Sequence, residues 1–172
     1  LNEAMVKRLL PFVDIKEKVT KQENYQKSYA NQPSYRKPAA VMVDINDSDT
    51  SDWKALPGIG SKLALRIVNF RSKLGGFYSI SQVAETFGLP DSVYQKIKPG
   101  LTIGNNTVQK ININTATLEE LKQHPYIRYN LAGLIVQYRN QHGSFSKIED
   151  LGNIMAVTSD VMQKLSAYIT IE

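Results

Sequence analysis

Residues 56–64 read Leu-Pro-Gly-Ile-Gly-Ser-Lys-Leu-Ala and combine a tight-turn sequence with the start of a helix. Glycine adopts positive φ angles at little steric cost, so Gly58 and Gly60 predict a sharp turn with both glycines at positive φ. The apolar residues that follow, at 63, 64, 67 and 68, recur at the spacing of one helix face. The segment therefore predicts a hairpin that joins two helices.

The pattern around this hairpin occurs twice in the chain. A shift of 68 residues aligns residues 44–103 with 112–171 without a gap, and 18 of the 60 aligned positions are identical. The identities include the apolar stripe of the helix after the hairpin, so both copies bury the same face. The sequence predicts an all-α chain of tandem repeats, each a compact four-helix domain.

Each copy has recognisable helix boundaries. Capping-box patterns begin the first helix at Asp49 and at Thr117, and a glycine suited to the left-handed position ends the second helix at Gly75 and at Gly143. Phe77 and Phe145 are expected to plug the cores. The predicted second, third and fourth helices are 60–74, 80–87 and 91–98 in the first copy, and 128–142, 148–155 and 159–167 in the second.

The flanking segments complete the domain organisation. Residues 1–15 resemble the end of the first copy and are interpreted as the C-terminal helix of a truncated preceding repeat, with an unrelated amphipathic helix as the alternative. Residues 16–40 form a polar linker with little apolar periodicity. Repeat one is 41–104, a short linker is 105–110, and repeat two is 111–172.

Composition excludes several function classes. The 172 residues contain no cysteine and two histidines, which argues against a zinc ribbon, a thiol nucleophile or a disulfide framework. There is no Gly-x-Ser-x-Gly elbow and no phosphate loop, and no stretch approaches the roughly 20 apolar residues of a membrane span. We therefore expect no enzymatic activity, no small-molecule substrate and no membrane contact within this sequence.

Two further features concern charge. The net charge is +5, but residues 1–40 hold 8 basic against 4 acidic residues, while residues 41–103 hold 7 against 6 and residues 111–172 hold 5 against 6. Bulk charge on the repeats therefore supports only weak, salt-sensitive binding to a polyanion.

The acidic run from Asp44 to Asp49 superficially resembles a calcium loop, but it lacks the required glycine and the closing glutamate, so helix capping is the better interpretation.

The hairpin at 56–60, together with Ile67, Arg71, Gly75, Phe77 and Val83, resembles that of helix-hairpin-helix DNA-binding proteins of the ComEA competence type. The resemblance implies an (HhH)2, SAM-like architecture and binding of double-stranded DNA without regard to sequence. It also implies a role in DNA uptake and transformation beside proteins of an uptake or secretion-like apparatus, on the periplasmic or outer face of the membrane. An upstream anchor or signal is expected because the sequence begins with Leu1. In some relatives the hairpin carbonyls hold a potassium or sodium ion, so the resemblance makes such an ion a candidate ligand of this hairpin as well.

The candidate phosphate site follows from the chemistry of the hairpin. Bare amides at the start of a helix bind anions because the helix dipole favours negative charge there. A largely basic stripe at i, i+4, i+7 and i+11 continues from the hairpin along the next helix. The predicted phosphate-binding residues are Gly58, Ile59, Gly60, Ser61, Lys62, Arg66 and Lys73, with Gly88, Ser92 and Arg128 as auxiliary contacts. The alternative is that the glycines only permit a tight structural turn.

Repeat two is degenerate at the same positions. Its hairpin carries Tyr126 and Arg128 in place of the two glycines, and its stripe is uncharged. Repeat two is therefore interpreted as a scaffold or protein-contact domain. For the whole chain, a structural or protein-interaction module and an accessory domain of a DNA repair assembly remain open as alternatives.

The remaining arginines and aromatic residues are given structural roles. Arg71 and Arg139 occur in both copies and are expected to cap carbonyls or complement the helix dipole. Trp53, Tyr78 and Tyr94 are expected to pack in the core, with base stacking as the alternative. The linker tyrosines at 25, 29 and 35 alternate with basic residues, and either clamp a strand weakly or belong to a solvated tether.

Overall fold

The computed structural model describes Glu3, Ala4, Lys7, residues 42–105 and residues 107–172. Glu3, Ala4 and Lys7 are helical and exposed. The rest of the predicted helix 1–15 and the whole linker 16–40 lie outside the described residues. The described residues from 42 onward belong to one compact unit, which contains both repeats.

Repeat one contains three α-helices, a 3₁₀ helix and two short strands. In chain order they are β1 (Val43–Asp44), α1 (Thr50–Lys54), α2 (Ser61–Leu74), a 3₁₀ helix (Ile80–Glu85), α3 (Asp91–Ile97), a 3₁₀ turn (Lys98–Gly100) and β2 (Leu101–Thr102). The long helix and the fourth helix lie where the sequence predicts them, and the third predicted helix is a 3₁₀ helix.

Repeat two has the same order of elements but lacks the 3₁₀ turn before its second strand. They are β3 (Ile111–Asn112), α4 (Leu118–Gln123), α5 (Arg128–His142), a 3₁₀ helix (Ile148–Asn153), α6 (Ser159–Leu165) and β4 (Ile169–Thr170). None of these helices, nor any in the other described residues, is long and apolar enough to cross a bilayer.

Short strands close each repeat, a feature that the sequence did not predict. β1 pairs in parallel with β2, with Val43 opposite Leu101, and β3 pairs in parallel with β4, with Ile111 opposite Ile169. Each strand has only two residues, too few to show alternating hydrophobicity. The all-α prediction is otherwise confirmed, because the strands only join the two ends of each helical repeat.

Each repeat has its own apolar core. Trp53, Phe77 and Ile67 are fully buried in repeat one, and Ile135 and Leu151 are fully buried in repeat two. Phe145 is 3% exposed, so the prediction that Phe77 and Phe145 plug the cores is confirmed.

An asparagine and an arginine brace each repeat. The Asn46 side-chain amide donates to the Phe77 carbonyl at 2.9 Å and accepts from the Phe77 N–H at 2.8 Å, and Asn114 makes the same pair of bonds with Phe145. Arg71 donates to two carbonyls of the turn after β1, and Arg139 donates to three after β3. Both arginines therefore have the expected structural role of binding carbonyls, but these carbonyls belong to the turn after the first strand and not to the end of their own helix.

The predicted helix caps are present except at Gly143, which ends the long helix of repeat two with φ +85° and ψ −175°, outside the predicted left-handed helical region. Asp49 and Thr117 form reciprocal capping boxes with the residues three positions later, and Gly75 ends α2 in the left-handed region at φ +80°. Asp44 accepts backbone N–H groups of the turn that follows it. The acidic run that resembles a calcium loop therefore serves a turn and a helix cap.

The two repeats meet through a buried glutamine of repeat one. The Gln82 side-chain amide donates to the hydroxyls of Tyr126 and Tyr168, at 2.9 Å and 2.7 Å, and both tyrosines belong to repeat two. The Tyr168 hydroxyl donates to the Gly76 carbonyl at 2.8 Å, and the Tyr126 hydroxyl donates to Glu85 at 2.9 Å. A continuous hydrogen-bond network therefore joins the repeats.

The surroundings of this network keep it intact at ordinary pH. Burial raises the pKa of Tyr168 to about 12 and raises that of Tyr126 as well, so both hydroxyls remain protonated donors. At the edge of the network, Lys164 forms an ion pair with Glu85 at 3.0 Å and stands 5.3 Å from the centre of the Tyr126 ring.

Replacing Gln82 by leucine is expected to lower the free energy of unfolding by about 1–3 kcal/mol, because buried hydroxyls and N–H groups lose their partner. Urea unfolding followed by circular dichroism measures the change. Gln95→Leu is the control, since Gln95 is exposed and bonds only Asp91 in the same helix. Equal destabilisation by the two variants would contradict the role assigned to Gln82.

His124 lies beside the same network and is 1% exposed. Its Nδ1 accepts the Tyr126 N–H at 3.4 Å, and its ring centre lies 5.1 Å from that of Tyr168. Burial lowers the pKa of His124 to about 4, although the Leu74 carbonyl opposes part of the shift. His124 is therefore neutral in the folded protein down to mildly acidic pH.

The lowered pKa of His124 makes stability dependent on pH. The unfolded imidazole titrates near pH 6.5, so between pH 6.5 and 4 the unfolded state binds the additional proton. Stability is fully present above pH 6.5 and falls as pH drops, with an expected loss of about 2 kcal/mol between pH 7.5 and 5. Urea titrations of the wild type and His124→Leu measure this, and the variant is expected to lose most of the dependence. His142→Gln, which changes an exposed histidine, should retain the pH dependence of stability. If His124→Leu left that pH dependence unchanged, His124 would not be its cause.

Candidate nucleic-acid interface

The first hairpin of repeat one, residues 56–60, lies on the surface. Its apolar residues Leu56 and Ile59 are 5% and 6% exposed and anchor it to the core. Pro57, Gly58 and Gly60 are exposed, as are Ser61 and Lys62 at the start of α2. The two ion pairs found among the described residues lie elsewhere, at Lys122 and Lys164. The turn is therefore accessible and no carboxylate pairs with its lysine.

The two hairpin glycines have different roles. Gly58 has φ +86°, and a Cβ there would lie 3.1 Å from a Val93 methyl group, so conformation and packing both favour glycine. Gly60 has φ −90° and ψ 173°, the extended conformation of an N-cap, so the predicted positive φ is correct for Gly58 and wrong for Gly60. A Cβ on Gly60 would meet nothing within 4 Å. The fold itself therefore does not require glycine at 60.

The hairpin presents unpaired backbone donors. The first bond into α2 is from the Ala64 N–H to the Gly60 carbonyl, and no side chain caps the helix. Within the described part of the chain, the N–H groups of Gly60, Ser61 and Lys62 have no hydrogen-bond partner. The positive end of the α2 dipole lies at the same place, so an anion would be stabilised there.

Repeat two differs at the first of these three donors. The N–H groups of Ile127 and Arg128 both donate to the His124 carbonyl, at 3.1 Å and 3.0 Å. Arg128 stands where repeat one has Gly60, so the amide left unpaired in repeat one is used within the protein in repeat two. Arg128 has φ +54°, is exposed, and its Nε donates to the Pro125 carbonyl at 3.0 Å.

Ile59 differs from the other predicted phosphate-binding residues. Its side chain is buried, and its N–H donates to the Leu56 carbonyl at 3.2 Å. Ile59 therefore holds the hairpin to the core and presents no unpaired donor.

Arg66 connects the first hairpin to the second hairpin of repeat one, residues 87–92. Its guanidinium donates to the Phe87 carbonyl at 3.3 Å and lies 5.2 Å from the centre of the Phe87 ring. Gly88 follows at φ +79°, next to the Arg66 guanidinium. Gly88 and Ser92 are both exposed. The two hairpins thus lie side by side, and the predicted auxiliary residues Gly88 and Ser92 belong to the same surface.

Lys73 is not part of this cluster. It is exposed on α2, but 11 residues after Lys62 correspond to roughly 16 Å along a helix. It lines a cleft between the repeats together with Gly75, Lys110 and other residues. The structure therefore brings together the hairpin, Lys62 and Arg66, and places Lys73 apart from them.

The prediction of core packing is confirmed for two of the three aromatic residues and wrong for the third. Trp53 and Tyr94 are buried, as predicted, whereas Tyr78 is 42% exposed and its ring packs against Tyr168 at the contact between the repeats. Phe87 is 82% exposed. Phe87 does not stand out in the sequence, because an isolated phenylalanine between helices carries no periodic signal.

Tyr126 gives a structural reason for the altered hairpin of repeat two. It stands where repeat one has Gly58, and its hydroxyl bonds Gln82 and Glu85 of the other repeat. The loss of that glycine therefore accompanies the formation of the contact between repeats. The comparison of the two copies supports phosphate binding mainly through Gly60 and its unpaired amide.

Comparison with known proteins agrees with this architecture. The helix-hairpin-helix motif model matches residues 38–102 and 106–170. Endonuclease/exonuclease/phosphatase family domain-containing protein 1 is 26% identical over 148 residues in Danio rerio and 22% identical over 151 residues in Xenopus laevis, in each case over 76% of this chain. ComE operon protein 1 of Bacillus subtilis strain 168 is 36% identical over 62 residues, 36% of this chain and 30% of that protein.

These matches differ in what they cover. The chain spans 27% of the length of the Danio rerio and Xenopus laevis relatives. The match to ComE operon protein 1 extends over about one repeat, so the resemblance to competence proteins is supported for only part of the chain. The two matches to the motif model together cover most of the sequence, and the chain belongs to the helix-hairpin-helix family.

Proposed function

We propose that the chain binds double-stranded DNA without sequence preference, through the first hairpin of repeat one. The observation that carries the proposal is the exposed run of unpaired N–H groups at Gly60, Ser61 and Lys62, at the positive end of α2. Backbone amides that contact phosphate oxygens read no base identity, so they give affinity without sequence specificity. Lys62 adds a positive charge at the same place.

The surface around the hairpin determines how strongly DNA is held. Arg66 is exposed beside the second hairpin, so it adds a second cation near the amides, with Gly88 and Ser92 as further contacts. Repeat one as a whole is close to neutral, which limits binding to a few neutralised phosphates. Lys73 contributes at most a distant electrostatic contact. Repeat two acts as a rigid support or a protein-contact surface.

The setting of this activity is a further part of the proposal. The similarity to ComE operon protein 1 supports competence-type DNA uptake on the outer face of a membrane, beside other proteins of an uptake apparatus. A second candidate is a DNA-holding region of a larger protein whose catalytic domain lies elsewhere. It is favoured by the similarity to endonuclease/exonuclease/phosphatase family domain-containing protein 1, which extends over 76% of this chain. In both settings the repeats hold DNA and are themselves not catalytic.

Salt dependence tests the proposed mode of binding. Fluorescence anisotropy with a labelled duplex of about 20 base pairs is expected to give a log-log slope of roughly −2 to −4, for the few phosphates that one hairpin surface contacts. Two duplexes of unrelated sequence and equal length should bind within about twofold of each other, because amide-phosphate contacts carry no base identity. Absence of binding at low salt would refute the proposal.

Matched charge reversals locate the site. Gly60→Glu combined with Lys62→Glu is expected to weaken duplex binding by about tenfold or more, because two carboxylates then face the phosphates. The control is Asn130→Glu combined with Gln137→Glu and Gln141→Glu, exposed positions of the equivalent stripe of repeat two that change the net charge by the same amount, with an expected change of less than about twofold. The open space around Gly60 predicts that the first variant folds, which circular dichroism checks. Equal weakening by both variants would place the site elsewhere.

A further inference from the structure

Phe87 is an exposed aromatic residue with a defined position. Its side chain is 82% exposed at the tip of the second hairpin of repeat one, directly before Gly88. Single exposed apolar residues are common on protein surfaces and carry no meaning by themselves. Phe87 is a candidate for a functional role because of its position relative to the unpaired amides.

Two contacts place Phe87 on the candidate DNA-binding surface. Gly58 of the first hairpin packs against Val93 of α3, the helix that follows the second hairpin. Arg66 of α2 donates to the Phe87 carbonyl at 3.3 Å. Together these contacts place the second hairpin, with Phe87 at its tip, against α2 and the first hairpin, where the N–H groups of Gly60 and Ser61 are unpaired.

The surroundings of the ring suit a flat, electron-rich ligand. The Arg66 guanidinium lies 5.2 Å from the ring centre, within the range of a cation–π contact, and helps to fix the orientation of the ring. Most of the remaining ring surface is open to solvent. A nucleobase offers a π-face of similar size, and stacking on an aromatic side chain tolerates any base.

We propose that Phe87 stacks on a nucleobase and makes repeat one prefer duplex DNA that contains an unpaired base over uninterrupted duplex. This inference rests on the proposed function, since it assumes that the hairpin amides hold the backbone. Bases in an intact duplex are already stacked, and separating them costs free energy, whereas an unpaired base costs least to expose. The backbone amides anchor the duplex while Phe87 senses a local interruption in it.

The test compares two DNAs and three variants. The DNAs are a labelled duplex of about 20 base pairs and the same duplex with one unpaired adenine in the middle of one strand. Wild type is expected to bind the interrupted duplex roughly tenfold more tightly, within the range that stacking on an aromatic residue contributes. Phe87→Ala should lose that preference while binding intact duplex within about twofold of wild type. Phe87→Trp should retain the preference.

Met155 supplies a matched control. It occupies the position of repeat two equivalent to Phe87 and is 99% exposed. Met155→Ala therefore removes a similarly exposed apolar side chain away from the first hairpin, and it should leave both affinities unchanged. In addition, the fluorescence of Phe87→Trp should be quenched more by the interrupted duplex than by the intact one, because Trp53, the other tryptophan of this variant, is buried.

The outcomes separate this inference from the proposed function. If wild type binds neither DNA, both are refuted. If wild type binds intact duplex but shows no preference, or if Phe87→Ala keeps the preference, the stacking role of Phe87 is refuted and amide-phosphate binding stands. Equal weakening on both DNAs by Phe87→Ala also refutes base stacking, because it assigns Phe87 to general contact. If Phe87 contacts a protein partner instead of DNA, Phe87→Ala should have the same affinity as wild type for both DNAs. That result would also refute the stacking role.

Discussion

The close contact between Gly58 and Val93 is the constraint on which the candidate interface depends. A Cβ at position 58 would lie 3.1 Å from a Val93 methyl group, and the backbone there has a φ of +86°, which side chains rarely adopt. Only glycine lets the first hairpin approach α3 this closely. The approach places the second hairpin beside it, within reach of Arg66. The unpaired amides, the nearby cations and the Phe87 ring therefore share one surface because one side chain is missing.

Repeat two shows what the same scaffold does when that glycine is replaced. Tyr126 stands in its place, and its hydroxyl forms hydrogen bonds with Gln82 and Glu85 of repeat one. The N–H groups of Ile127 and Arg128, at the start of α5, donate to the His124 carbonyl. The hairpin that presents donors to solvent in repeat one corresponds to a hairpin of repeat two that contacts the other repeat. The two copies therefore differ in use: the hairpin of repeat one is exposed to solvent, and the hairpin of repeat two helps to hold the two repeats together.

Much of the fold could be predicted from the sequence because its determinants are local. Apolar periodicity predicts the long helices to within one residue, and the capping boxes at Asp49 and Thr117 mark where the first helices begin. The occurrence of Arg71 and Arg139 in both copies predicted a shared structural role, although the carbonyls that they bind lie 23 residues earlier in the chain and not at the helix end. Each of these features depends on residues that are close in sequence or repeated in it.

The features that the sequence did not reveal depend on contacts between distant residues. The two-residue strands are created only when the ends of a repeat meet, and Gln82 acquires its role only from tyrosines 44 and 86 residues away. Gly60 was expected at positive φ because glycine usually marks such positions, yet it is an extended N-cap. Its lack of a side chain is explained neither by its conformation nor by any neighbour within 4 Å.

That unexplained glycine bears on how a nearly neutral domain holds a polyanion. Residues 41–103 carry 7 basic and 6 acidic side chains, so long-range attraction contributes little. In the proposed function, binding therefore comes from short-range contacts, in which fixed backbone dipoles meet phosphate oxygens without a loss of side-chain entropy. A backbone site of this kind needs close approach, and a bare Cα at position 60 permits it where any side chain would stand between amide and phosphate. Under the proposed function, the phosphate ligand therefore gives a reason for glycine at position 60 that the fold does not supply.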